Sequence, residues 1–118
     1  MFDPRVGVLA ALFAVAPVVA WAHAHLTTSN PAENATISAP TEVSLRFTQA
    51  LEKNFSSVEV RNANGQRVDD GKLRPVDDAT ALAVGLQKLP PGRYQVIWHA
   101  TSVDTHRTEG SFVFTVAP

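Results

Sequence analysis

The chain contains no cysteine. This excludes a disulfide framework and any thiolate metal site. Its one methionine is Met1, so a thioether-rich copper(I) site is excluded as well. Any metal centre must use nitrogen and oxygen. Lysine and arginine are scattered, and 10 of them stand against 11 acids. With no basic run, a nucleic-acid partner is not expected. The sequence has no H-E-x-x-H pattern for a zinc hydrolase and no nucleophile motif with a Ser-His-Asp set. Beyond Ala22 it also lacks a convincing helical period.

One long apolar run is present, from Val6 to Ala22. Arg5 and the chain's amine precede it, Pro17 interrupts it, and Ala20-Trp21-Ala22 ends it. Small residues at those two positions are what a signal peptidase reads. A run of about 17 residues is at the lower limit for spanning a bilayer, and no basic stop-transfer cluster follows. The segment 1–22 is therefore expected to be a signal peptide cleaved after Ala22, leaving 23–118 as one exported, periplasmic domain.

The exported region reads as all-β. In Thr41 to Phe47, Val43, Leu45 and Phe47 alternate with Glu42, Ser44 and Arg46. Ser57 to Arg61 repeats this pattern through Val58 and Val60, and Asn64-Gly65 then signals a tight turn. Further strands are expected over Ala79 to Leu86, Arg93 to Thr101 and Gly110 to Val116, with Pro90-Pro91-Gly92 as a turn. Tyr94, Val96 and Trp98 share one face, as do Phe112, Phe114 and Val116. Short strands at this spacing predict a Greek-key β-sandwich or barrel, immunoglobulin-like, of about seven strands.

Four histidines are present: His23, His25, His99 and His106. Cleavage after Ala22 would make His23 the first residue. Its α-amine and imidazole could then chelate one ion together. The amine's ordinary pKa of about 7.7–8.0 lets copper displace its proton near neutrality. Asp104 and His106 are two residues apart, and in an extended strand they would face the same way. Three nitrogens and one oxygen, without sulfur, suit tetragonal copper(II). A D-x-H pattern is common on surfaces; its coincidence with an N-terminal histidine is what gives it meaning.

These same residues resemble the CopC/PcoC family of periplasmic copper-binding, copper-resistance proteins. The likeness runs through His23-Ala24-His25-Leu26, Ser29 to Ala35 and Val43 to Thr48. It is most specific in Pro91 to Trp98, Ser102-Val103-Asp104-Thr105-His106 and Gly110 to Phe114. The resemblance implies a seven-stranded Greek-key fold and one copper(II) ion held by His23, Asp104 and His106. It also implies a CopD-type inner-membrane copper transporter as partner. Two departures stand out. Gln49 occupies a position where some members have a Glu near the copper(II) site, and the Met-rich copper(I) loop of some members is missing.

Other residues carry weaker readings. As third residue of the mature chain, His25 could wrap copper(II) in a square plane with the amine and two amides. Alternatively it supports the His23 site or packs beside it. His99 alternates with Trp98 and is expected at the surface, with Trp98 in the core. Gln49, Glu33 and Glu109 are candidate neighbours of the site, with plain surface solvation the default for each, and Ser102 and Thr105 are expected to cap the bend. The function expected is non-enzymatic, sequestering copper or passing it to a membrane transporter. The alternatives are a copper-dependent oxidative enzyme with an N-terminal histidine, disfavoured by the small domain and the Asp ligand, and a metal-free interaction module.

Overall fold

A computed structural model describes residues 24–118. The segment 1–22, expected to be a signal peptide, and His23 lie outside the described residues. Eight strands are present: β1 (Leu26–Asn30), β2 (Thr36–Ile37), β3 (Glu42–Phe47), β4 (Ser57–Asn62), β5 (Arg74–Val76), β6 (Ala81–Gly85), β7 (Gly92–Thr101) and β8 (Arg107–Val116). One 3-10 turn covers Lys53–Phe55. The strands form two sheets, ordered β1-β3-β6-β5 and β2-β8-β7-β4. Most connections cross from one sheet to the other, and only β5–β6 and β7–β8 stay within a sheet. The chain is a β-sandwich, as expected.

Alternation decides which side chains fill the space between the sheets. Val43, Leu45 and Phe47 of β3, Val58 and Val60 of β4, and Leu82 and Val84 of β6 are all buried. Tyr94, Val96 and Trp98 of β7 meet them with Phe112, Phe114 and Val116 of β8. The Trp98 ring meets Phe47 edge-on across the core, 5.1 Å between centroids. Opposite Trp98 in the ladder stands Gly110. A Cβ there would lie 2.7 Å from the indole, so only glycine admits the ring in this position. Tyr94 stacks on Phe114 at 5.6 Å and donates its hydroxyl to Pro90 O at 2.5 Å. That local closure resembles the tyrosine corner of sandwich folds.

The differences from the sequence reading are local. β2 and β5 are too short to show a period, and polar β1 (LTTSN) shows no apolar alternation. The strand expected from Ala79 begins at Ala81, because Asp77, Asp78 and Ala79 form a turn at positive φ. The last strand begins at Arg107 rather than Gly110, since the β7–β8 ladder continues to Thr101↔Arg107.

One buried carboxylate sits at the edge of β4. The Asp69 side chain is 0% exposed. It accepts the Val60 N–H at 2.8 Å, the Gly71 N–H at 2.9 Å and the Arg67 guanidinium at 2.8 and 3.1 Å. On that edge the segment 66–68 already pairs with β4, through the Arg61–Arg67 bridge and Val68 N to Val60 O, and the carboxylate satisfies the Val60 amide where that pairing ends. Burial pushes the Asp69 carboxyl up. The Arg67 side chain and the Val60 and Gly71 amides outweigh that and hold it below the usual carboxylate range. With the folded pKa below the unfolded one, the stabilisation is present above about pH 4 and fades as pH falls through the folded value. Asp69→Asn is expected to lose about 1–3 kcal/mol at neutral pH. Urea unfolding at pH 7 and pH 3 checks this, and the gap from the wild type should narrow at the lower pH.

Candidate metal centre

The β7–β8 hairpin carries the D-x-H motif at its tip. The strands pair from Gly92↔Val116 to Thr101↔Arg107, and the loop Ser102–His106 joins them. Ser102 N donates to His106 O at 2.9 Å, and Thr105 N donates to Ser102 O at 2.8 Å. Thr105 sits at φ 75°, the left-handed residue that a three-residue hairpin loop requires. Asp104 and His106 are therefore not neighbours on one face of a strand, as their spacing suggested. A turn brings them together instead.

Within the loop, the donors converge. Asp104 Oδ1 lies 3.3 Å from His106 Nδ1 and 3.4 Å from the His106 backbone N, which donates to it. Ser102 is wholly buried and donates its hydroxyl to the same oxygen. The Ser102 hydroxyl, then the His106 backbone amide and ring, hold the Asp104 carboxyl below the usual carboxylate range despite some desolvation. The carboxylate is thus ionised at neutral pH. Side-chain exposures of 49% for His106 and 45% for Asp104 leave both open to an arriving ion.

Two other segments meet this loop. Val103 N donates to Ala50 O at 3.1 Å, Leu51 bridges Ser102, and Glu52 N donates to Thr101 O at 2.8 Å. Ala24 is buried, and its carbonyl accepts the Thr108 hydroxyl at 2.8 Å. His25 N donates to Thr48 Oγ1 at 3.0 Å, while His25 O accepts Thr48 N at 2.9 Å. The start of the described chain is thereby clamped between the end of β3 and the start of β8. Ala24 is the residue that directly follows His23.

The remaining sequence candidates separate. Gln49 lies in the segment that packs on the loop, just before Ala50. Glu33 sits in a turn bonded to β8 around Val113 to Thr115, about 20 Å along the strand from Arg107. Glu109 faces outward and pairs with His99. Trp98 is in the core and His99 at the surface, as expected. Ser102 does cap the bend, but its hydroxyl also grips the carboxylate, a role that the spacing Ser-x-Asp could have signalled. The clamp on residues 24 and 25 left no trace in the sequence, because its partners are distant in the chain.

Among the described residues, no group of three or more His, Cys, Asp or Glu side chains could hold a metal. Asp104 and His106 form a two-donor half-site, one oxygen and one imidazole nitrogen. These donors fit a borderline divalent ion that draws its further ligands from elsewhere.

The CopC domain model matches residues 26–117. The chain belongs to the CopC family. Protein YobA of Escherichia coli (strain K12) is 36% identical over 99 residues, covering 81% of this chain and 80% of that protein. Copper resistance protein C of Xanthomonas campestris pv. juglandis is 34% identical over 109 residues, covering 86% of each chain. The crystal structure of PcoC, a methionine-rich copper resistance protein from Escherichia coli, aligns with a TM-score of 0.71 at 30% identity. That alignment covers 80% of this chain and 98% of PcoC. Unlike that methionine-rich relative, this CopC-family chain has no methionine after Met1.

If Ser102 holds the carboxylate down, Ser102→Ala should let Asp104 titrate at higher pH than in the wild type. Carbon-13 NMR of the Asp104 carboxyl reads this directly. An unchanged titration would show that the His106 contacts suffice.

Proposed function

We propose that the mature chain starts at His23 and binds a single copper(II) ion tightly in the periplasm. The donors are the His23 α-amine and imidazole, the Asp104 carboxylate and the His106 imidazole. The observation that carries this reading is the Ala24–Thr108 hydrogen bond. It holds the residue after His23 against the strand that begins one residue beyond His106. Consecutive Cα atoms are about 3.8 Å apart, so the first residue has a short reach from this anchor. The ionised, exposed Asp104–His106 pair supplies the other half of the set. The donors are all nitrogen and oxygen, which favours copper(II) over copper(I).

The alternative mode through His25 is disfavoured by its backbone. A square plane of amine, two amides and the third imidazole would need the amide nitrogens of Ala24 and His25 as ligands. The His25 amide already donates to Thr48, and Ala24 is buried. Both arrangements would have to be dismantled first. His25 therefore supports the start of the chain rather than replacing Asp104 and His106.

The chain's role is that of a carrier or buffer, not an enzyme. It sequesters copper or passes it to a CopD-type inner-membrane transporter. The half-exposed loop favours exchange, because the ion can enter and leave without opening the sandwich. Relatives named for copper resistance support the same reading.

Acid releases the metal by protonating the imidazoles and the amine. Asp104 stays ionised below the usual carboxylate range. Copper(II) titration with electron paramagnetic resonance tests the whole set. The form starting at His23 should bind tightly with nitrogen-rich tetragonal spectra. A form with one extra residue ahead of His23, and His106→Ala, should each bind at least tenfold more weakly. Equal binding by the extended form would remove the amine from the site, and unchanged binding by His106→Ala would favour the His25 mode.

A further inference from the structure

A second His–carboxylate pair lies higher on the same hairpin, outside the candidate centre described above. His99 of β7 and Glu109 of β8 are directly opposite in the ladder. Their side chains project from the outer face, 58% and 75% exposed. His99 Nε2 stands 3.4 Å from Glu109 Oε1. The other ring nitrogen, Nδ1, lies 3.5 Å from Ser57 Oγ, directly across on β4. Three adjacent strands thus present a hydroxyl, an imidazole and a carboxylate in one row.

The spacing of this pair is that of two ligands on one ion. Metal bonds of about 2.0–2.1 Å meeting near the tetrahedral angle put the two donor atoms roughly 3.3–3.4 Å apart. A right angle between similar bonds brings them to roughly 2.9 Å, a small closure for two exposed side chains. Ser57 occupies the Nδ1 side of the ring, so the tautomer with its proton on Nδ1 leaves the Nε2 lone pair facing the carboxylate. Fixing a ligand imidazole through its other nitrogen is the usual support for a metal-bound histidine. Shallow clefts flank the pair on both sides, one bordered by Phe55, Thr101 and Arg107 and the other by Gln95 and Ser111. They give water room to complete the coordination. Arg107 adds a positive charge nearby, which weakens the site without closing it.

We propose that His99 and Glu109 form a second, weaker site for a borderline divalent cation, zinc(II) or copper(II), on the outer face of the β7–β8 hairpin. It is three rungs of the ladder from the loop, about 10 Å. It shares no donor with the Asp104–His106 centre, and it remains accessible while that centre is filled. In a copper-loaded protein it would take the next ion and exchange it quickly, because two protein ligands at an exposed position hold an ion loosely.

The test is a titration of the mature chain with zinc and, separately, with copper beyond one equivalent. Calorimetry reads the stoichiometry. In the zinc arm, NMR follows the His99 ring C–H signals; in the copper arm, their paramagnetic broadening reports the same contact. A second event sensed at His99 is expected. Its dissociation constant should rise at least tenfold in both His99→Ala and Glu109→Gln, and it should persist in His106→Ala. A response to one ion alone assigns the site to that ion. Absence of a second event, or a second event unchanged in either His99→Ala or Glu109→Gln, overturns the paired site. Loss of the tight event alone would overturn the primary copper reading and leave this one standing.

Discussion

The pairing of β7 with β8 is the constraint on which the rest depends. It runs unbroken from Gly92↔Val116 to Thr101↔Arg107. Inward, the ladder sets Tyr94, Val96 and Trp98 beside Phe112, Phe114 and Val116, a large part of the core. At its tip, the same register leaves the five residues Ser102–His106 to turn the chain, which brings Asp104 and His106 together. Outward, it sets His99 against Glu109. Shifting the register by one residue would reverse every one of these faces.

Stability and the proposed metal chemistry occupy different parts of the molecule. The core residues and the buried Asp69 network hold the sandwich together. The Asp104–His106 and His99–Glu109 pairs are exposed, and exposed pairs contribute little to folding. Their value is access. In the proposed role a carrier must hold its ion and still let it go, and a half-exposed loop on a two-stranded base would serve both needs. Rigidity comes from beneath: Ser102 is wholly buried, and Thr101 is tied to Phe55 O at 2.7 Å and to Ser56 Oγ at 3.0 Å. The candidate donors are thus held in place by buried groups beneath them.

Much of the sandwich was legible in the residue pattern, because β alternation is a local property. Val43-Leu45-Phe47 and Tyr94-Val96-Trp98 announced their buried faces through spacing alone. The short strands β2 and β5 did not, since two or three residues carry no period. The closeness of Asp104 and His106 was also legible, though the reason was misread. Their meeting comes from a tight loop with Thr105 at positive φ, a residue type that gives little warning of that conformation. His99 and Glu109 were each read alone, both as surface residues by default, with Glu109 also a candidate neighbour of the main site.

The amino-acid sequence alone determined the donor chemistry and the inward faces. Without cysteine, and with methionine only at position 1, any metal must meet nitrogen and oxygen, and side-chain period selects what is buried. Tertiary structure decided which candidate donors come together. The bond from Thr108 to Ala24 spans 84 positions of the chain, and His99 meets Glu109 only because β7 and β8 pair in one register. Such encounters depend on strand order and loop geometry, which arise from packing the whole sandwich and leave no mark in the local spacing of the residues that meet.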